Sequence, residues 1–200
     1  MSGIVGSYFN TRGSGVVAKL GTDGQIFTSS GAGVSQAFEA AAGGGGKVLQ
    51  VVQTFWTTQE TTTSVLGSFA IMSDSVTAIT PASTSNKILV VANISLGSSG
   101  YEPFLKLQHD GSGSYVDKGL GTGATSNRIN ISFKGIAGFG GVSTFCYLDS
   151  PSKDSAFNYQ LVWNSRNTGT AYTNSSAETT DSAKIGWTGS SLTLVEIDGT

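Results

Sequence analysis

The sequence predicts an all-β fold, and three observations carry that prediction. Ser, Thr and Gly account for 80 of the 200 residues while charged residues make up only 12%, a mixture poor in helix formers and rich in residues that suit strands and tight turns. Turn-forming clusters recur roughly every ten to fifteen residues, and the segments between them alternate apolar and polar side chains at the period of a half-buried strand. Finally, the run Gly43-Gly44-Gly45-Gly46 separates residues 1 to 42, where apolar residues occur only in isolated groups, from residues 47 to 200, where strand-like segments follow one another. The expected organisation is an extended glycine-rich arm over 1–42, a glycine linker at 43–46, and an antiparallel β-sandwich, jelly-roll-like, over 47–200.

The elements follow in order. In the arm, glycines at 3, 6, 13, 15, 21, 24, 31 and 33 raise the entropy cost of ordering the chain. The groups Ile4-Val5, Tyr8-Phe9, Val16-Val17 and Ile26-Phe27 therefore read as docking contacts rather than a core. An Asp23-Gly24 turn precedes a short strand at Ile26-Phe27. Beyond the linker, Lys47–Gln53 is a first strand and Ser75–Thr80 a short one stopped by Pro81. Asn86–Leu96, with Ile88, Leu89, Val90, Val91 and Ile94, is dense enough for a central strand. Pro103–Gln108 alternates and ends in a turn at His109-Asp110-Gly111-Ser112-Gly113, from which Tyr115 starts the partner strand. Arg128–Lys134 alternates, Thr144–Leu148 is denser, Ala156–Trp163 alternates again, and Ser190–Ile197 closes the series. The count is eight or nine strands and no helix.

Charge and composition exclude several classes of function. A net charge of −2 with 11 basic residues spread singly offers no positive stripe for a phosphate backbone, so nucleic acid is not an expected partner. The first residues lack a signal-peptide pattern and no window is apolar enough to span a bilayer, so neither classical secretion nor membrane insertion is expected. The single cysteine, Cys146, rules out an internal disulfide framework and a cysteine-based metal cluster, and is read as a buried filler. The hydrophobic share of 38% is low for a globular chain, which leaves room for partner chains to complete the core.

The chemical motifs are weak. Gly46-Lys47 lacks the phosphate-loop glycine five residues earlier, where Ala41 stands, and the following Ser or Thr, where Val48 stands. His109 beside Asp110, with Ser112 and Ser114, holds the ingredients of a nucleophilic triad, but neighbours in one turn cannot align them, and His109 reads as a turn or surface residue. Asp149 and Asp154 flank Ser150-Pro151-Ser152-Lys153 and read as caps of turn amides in preference to glycosidase carboxylates. Dispersed Asp110, Asp117 and Asp149 do not make a calcium site. No catalytic residue, metal ligand or cofactor is expected, and the chain reads as not an enzyme. Among the aromatics Trp56, Tyr101, Trp163, Tyr172 and Trp187, which could stack on sugars or anchor interfaces, Trp187 reads as core, as does Phe133. Tyr101, after Gly97-Ser98-Ser99-Gly100, and Tyr172, in a polar stretch, are the candidates for receptor contact. Glycosylation-type triplets at Asn93, Asn130 and Asn174 carry no weight without a secretory signal.

Two stretches resemble known proteins. Leu20-Gly21-Thr22-Asp23-Gly24-Gln25-Ile26-Phe27-Thr28-Ser29-Ser30-Gly31-Ala32-Gly33 resembles a collar or shaft element near the start of many bacteriophage tail-fibre and related virion-fibre proteins. Ile79–Val90, Tyr147-Leu148-Asp149-Ser150-Pro151 and Ser191–Ile197 are similar, in order, to the landmarks of a C-terminal domain common in phage structural proteins. The resemblance implies a homotrimeric virion fibre with a β-sandwich tip, made in the host cytoplasm and built into the particle. The arm, through Ile4, Val5, Tyr8, Phe9, Ile26 and Phe27, would dock on other virion proteins. The head would contact a host surface glycan or protein at a loop-rich end, among the connections 97–100, 111–114, 119–127 and 164–176. A capsid decoration or head-fibre protein without receptor binding is the structural alternative, and a polysaccharide-degrading tail spike the enzymatic one.

Overall fold

The structure is a computed structural model that describes residues 25–28, 37–40, 47–111, 114–124, 128–136, 138–176 and 188–199. The chain divides into two compact units, Met1–Gly44 and Gly45–Thr200. In the first, β1 (Gln25–Thr28) and β2 (Ala37–Ala40) pair antiparallel, Gln25 opposite Ala40 and Thr28 opposite Ala37. β1 is the strand expected after Asp23-Gly24. β2 was not legible, because Ala-Phe-Glu-Ala offers one large apolar residue among weak strand formers. Ile4, Val5, Tyr8 and Phe9 lie outside the described residues.

The second unit is an antiparallel sandwich built from β3 (Val48–Trp56), β4 (Thr61–Thr62), β5 (Ala70–Ile79), β6 (Lys87–Ser98), β7 (Pro103–Asp110), β8 (Tyr115–Lys118), β9 (Phe133–Lys134), β10 (Gly138–Asp149), β11 (Phe157–Ser165), β12 (Ala171–Thr173) and β13 (Ser190–Ile197). No helix occurs among the described residues. One sheet runs β3-β13-β6-β12-β4, with β10 also on β6; the other runs β5-β11-β7-β8, with β9 also on β7. Leu89 faces Val195 of β13 and Leu148 of β10, so β13 and β10 flank β6 on opposite edges. β12 takes over beside Leu96–Ser98, beyond the reach of β13, on the edge that β10 leaves free.

The dense apolar run expected to be central is β6. Its inward residues Ile88, Val90, Ala92, Ile94 and Leu96 are fully buried, and they face Leu105 and Leu107 of β7, Tyr159, Leu161 and Trp163 of β11, and Met72 of β5. Alternation along β7, β11 and β13 sends every second side chain into this core, so the sheets close on one layer of interdigitated apolar groups.

Two irregularities are satisfied by side chains. Tyr159 pairs with Thr77 and Leu161 with Met72, so β5 bulges between them. The bulge is held by Ser75, whose hydroxyl donates to Met72 O at 2.7 Å and accepts from Leu161 N at 2.8 Å, and by the Glu60 carboxylate, which accepts from Ser73 N at 2.9 Å and Asp74 N at 2.7 Å. β10 bulges at Gly138–Gly141, where Gly140 has φ +91 and a Cβ would stand 2.8 Å from Leu96 O. Only glycine fits both the angle and the approach.

The expected strand Arg128–Lys134 is corrected: only Phe133–Lys134 is strand paired to β7. The cause is competition for one edge, since β8 already occupies Leu107–Asp110 of β7. At the junction Ser132 substitutes for a strand, its hydroxyl accepting from Leu107 N at 2.9 Å and donating to Lys118 O at 2.7 Å. The turn after β7 also starts later than expected, with His109 and Asp110 inside the strand and Gly111 N donating to Ser114 O at 2.7 Å.

The core sets a contrast that urea unfolding can read. Leu161→Ala, at a fully buried position, is expected to lower stability by about 2–5 kcal/mol. Leu66→Ala, in the exposed connection between β4 and β5, should change it by no more than about 0.5 kcal/mol. Equal losses in the two variants would contradict the placement of the core.

Candidate functional site

Two places concentrate polar chemistry, one buried and one exposed. The buried one grows from strand alternation. Leu105 and Leu107 point inward from β7, and so does the next residue in phase, His109; Phe145 and Tyr147 point inward from β10, followed in phase by Asp149. His109 Nδ1 lies 2.7 Å from Asp149 Oδ2, but off the line that a straight N–H···O bond requires. Tyr159 of β11 donates its hydroxyl to the same oxygen at 2.8 Å, Ser150 N donates to Oδ1 at 3.0 Å, and Lys118 Nζ stands 3.6 Å from Oδ1. The rings of Phe157 and Tyr159 meet His109 edge-on at 5.7 and 5.6 Å.

Burial pushes the Asp149 carboxyl up, but the His109 and Tyr159 contacts and the charges of His109 and Lys118 outweigh it and hold the group below the ordinary carboxylate range. Burial, with the Asp149 charge and hydrogen bond, drives the Tyr159 hydroxyl in the opposite direction, well above its ordinary value. His109 is thereby corrected from a turn or surface residue to a buried one. Asp149 caps Ser150 N as expected and in addition ties the two sheets together, while Asp154 is exposed. Tyr159 and Ser150 donate to Asp149 and His109 and Lys118 stand beside it, so the cluster acts as a polar rivet between sheets.

A second buried carboxylate lies in the same row. Glu196, in phase with Leu192 and Leu194 on β13, pairs across Ile88 from Asp149. It accepts from Gln50 Nε2, Asn86 Nδ2 and, at 2.7 Å, Ala82 N. Burial and Asp198 raise its titration, but these three donors prevail and hold it low. The effect is to fasten the connection between β5 and β6 onto β13 and β3.

The exposed place is formed by two loops. Ser99 N donates to Thr170 O at 3.0 Å and Thr170 N to Ser99 Oγ at 2.9 Å. A Cβ on Gly100 would stand 2.4 Å from Thr168 O, so this contact requires glycine. The pairing sets Tyr101, 44% exposed, beside Arg166, whose guanidinium carbon lies 5.3 Å from the ring centroid. Arg166 Nη1 donates to Glu102 Oε1 at 2.9 Å, and Lys134 Nζ is 3.7 Å from the same oxygen. The Glu102 backbone amide lowers its carboxyl, burial opposes this, and Arg166 and Lys134 lower it further, leaving it below the ordinary carboxylate range.

Tyr172 lies on β12 opposite Gly97, half-buried, its neighbours Ala171 and Thr173 pointing inward. The two tyrosines therefore belong to one end of the sandwich, each two residues beyond the Ser99–Thr170 contact. The expected loop-rich end divides: connections 97–100 and 164–176 meet here, whereas the 111–114 turn closes the opposite end of β7. Arg166 and Glu102 were missed, because no local pattern announces a contact between loops so far apart in sequence.

The other candidates are placed as follows. Trp56 and Trp163 are core, and Phe133 is half-buried and stacked on Phe145 at 5.2 Å. Trp187 falls outside the described residues. Cys146, expected as a buried filler, is exposed, because Phe145 and Tyr147 on either side take the inward positions.

No family model matches the chain, and no curated protein matches it. Among solved structures the chain is similar to the infectious bursal disease virus VP2 subviral particle, at 10% identity and a TM-score of 0.41, over 88% of this chain and 38% of that one. It is also similar to infectious bursal disease virus of the Gx strain (11% identity, TM-score 0.36, 87% and 46% covered) and of the Gt strain (9%, 0.37, 87% and 42%). The chain thus spans less than half the length of these structures, and at these values the likeness assigns neither family nor function.

The rivet makes stability depend on pH with a definite sign. Asp149 and Glu196 titrate lower in the folded than in the unfolded chain. Between those values the unfolded state binds more protons, so their contribution is complete above the ordinary carboxylate range, about pH 4, and is lost as pH falls below it. Asp149→Asn is expected to lower stability at neutral pH by about 1–3 kcal/mol and to flatten the acid limb of a plot of urea midpoint against pH. An unchanged acid limb would show that Asp149 does not carry the dependence.

Proposed function

We propose that the protein is a virion structural component, a short homotrimeric phage tail fibre. It is held in the particle by residues 1–42 and touches the host surface with its sandwich. The observation that carries this reading is the surface of the sandwich itself. Val51, Phe55, Val142 and Leu148 are 60%, 63%, 57% and 48% exposed on strands of one sheet, which supports a subunit of an assembly over a solitary domain. The resemblance of residues 20–33 to virion-fibre collars, and of the three landmarks to a phage C-terminal domain, supplies the setting.

The reading involves binding and no catalysis. The end carrying Tyr101, Arg166 and Tyr172 is the proposed receptor contact, with an aromatic ring for a sugar face and a guanidinium for its hydroxyls. One such site contributes only about 1–2 kcal/mol through its aromatic ring, so attachment rests on three sites acting together. A capsid decoration protein is the second reading, which the same exposed face supports equally.

Light scattering coupled to size exclusion is expected to give three times the chain mass of 20.5 kDa. A stable monomer at micromolar concentration would overturn the assembly. Deleting residues 1–42 should leave a folded sandwich that no longer enters particles, and failure of that fragment to fold would show that the arm belongs to the domain. Tyr101→Ala with Tyr172→Ala should weaken adsorption to host cells while shifting Tm by only a few degrees. If particles carrying the double variant adsorb normally, the receptor role of this end is wrong and the decoration reading gains.

A further inference from the structure

We infer that the outer face of the β3-β13-β6-β10 sheet is where copies of this chain meet, with Cys146 in its middle row on the β10 edge. The inference rests on the oligomeric reading above and specifies its surface. Register places Val51, Val195, Leu89 and Leu148 in one row across the four strands. The next two rows run from Gln53 to Cys146 and from Phe55 to Thr144. None of these twelve positions is charged. The two carboxylates carried by the same strands, Glu196 and Asp149, both face the interior.

Four polar side chains of the face pair within it. Gln53 Nε2 donates to Thr193 Oγ1 at 2.8 Å, and Thr144 Oγ1 donates to Asn93 Oδ1 at 2.7 Å. Water can therefore leave the face with those bonds kept, which removes much of the usual cost of covering polar side chains. With Lys87 its one charge, in the next row at the end of β6, the face gives an acidic, basic or anionic-lipid partner little to pair with. It matches a surface of its own kind, and another copy of the chain supplies one. Two such faces pack like the layers of a sandwich, roughly 10 Å apart.

Cys146 reports on the contact directly. Its rate of labelling by a bulky, charged maleimide is to be measured in the intact protein at concentrations where light scattering shows the oligomer, and in the double variant Val51→Lys, Leu148→Lys. Both substituted side chains are exposed, so the variant is expected to keep the circular dichroism spectrum of the parent, to run as a monomer, and to label at least tenfold faster. An oligomer whose Cys146 labels as fast as that of the variant, or a double variant that stays assembled, would overturn this face while leaving the oligomeric reading intact. A parent chain that is monomeric at every concentration would remove both. Should the double variant not fold, comparison of the parent oligomer with its own urea-unfolded chain decides: equal labelling rates overturn the proposal, and protection of the folded oligomer supports it.

Discussion

The sandwich depends on the double pairing of β6. It is bonded along nearly its whole length on both edges, by β10 on one side and by β13 and then β12 on the other, and its inward residues from Ile88 to Leu96 are fully shielded from water. A strand in that position fixes register on both sides at once. A slip of one residue would turn Ile88, Val90, Ala92 and Ile94 outward and bring Leu89, Val91 and Asn93 inside, exchanging a shape-matched set for one that carries an amide. β10, β12 and β13 take their alignment from it, and β3 takes its alignment from β13.

Polar groups refine what the apolar pattern begins. Asp149 and Glu196 flank Ile88 in one row, and each is held by groups from elements that β6 itself does not bond: the Tyr159 hydroxyl with His109 beside it for the first, Gln50, Asn86 and the Ala82 amide for the second. A misregistered β10 or β13 would bury a carboxylate without its donors, at a cost of several kcal/mol. At the far end Asn174, with φ 58, does similar work through its side chain, donating to Trp56 O and Thr58 O and accepting from Ser190 Oγ. Asparagine tolerates that backbone conformation better than most residues.

The fold class and most strands were legible because period-two alternation is a local signal. β6, β7, β11 and β13 could be read from it, and carried one step further it also points His109, Asp149 and Glu196 inward, following Leu107, Tyr147 and Leu194. The misreadings of His109 and Cys146 came from judging the residue type before its phase in the strand. What sequence could not supply was competition and distance. Arg128–Lys134 has a strand's pattern but finds its edge of β7 occupied, and the two-residue β4 and three-residue β12 are too short to show a period. The Tyr101–Arg166–Glu102 group exists only because two distant loops bond at Ser99 and Thr170.

The pairing of β3 with β13 has a consequence for how the chain is made. Within the larger unit β3 is the first of the described strands to be synthesised and β13 the last, and β13 is the only strand with which β3 pairs in the described structure. Of the consecutive strands described in that unit, only β7 and β8 form a hairpin, so nearly every pairing closes a long loop and folding is correspondingly slow. As the chain leaves the ribosome, β3 must wait with its pairing edge and its inward Val52 and Trp56 uncovered until β13 emerges. Then Val48 can align with Ile197, and Asp198 N can donate to Lys47 O at 2.8 Å. Closure of the sandwich thus waits on β13: a chain broken off before that strand keeps a bare, apolar strand edge, the kind of surface that chaperones retain and proteases reach.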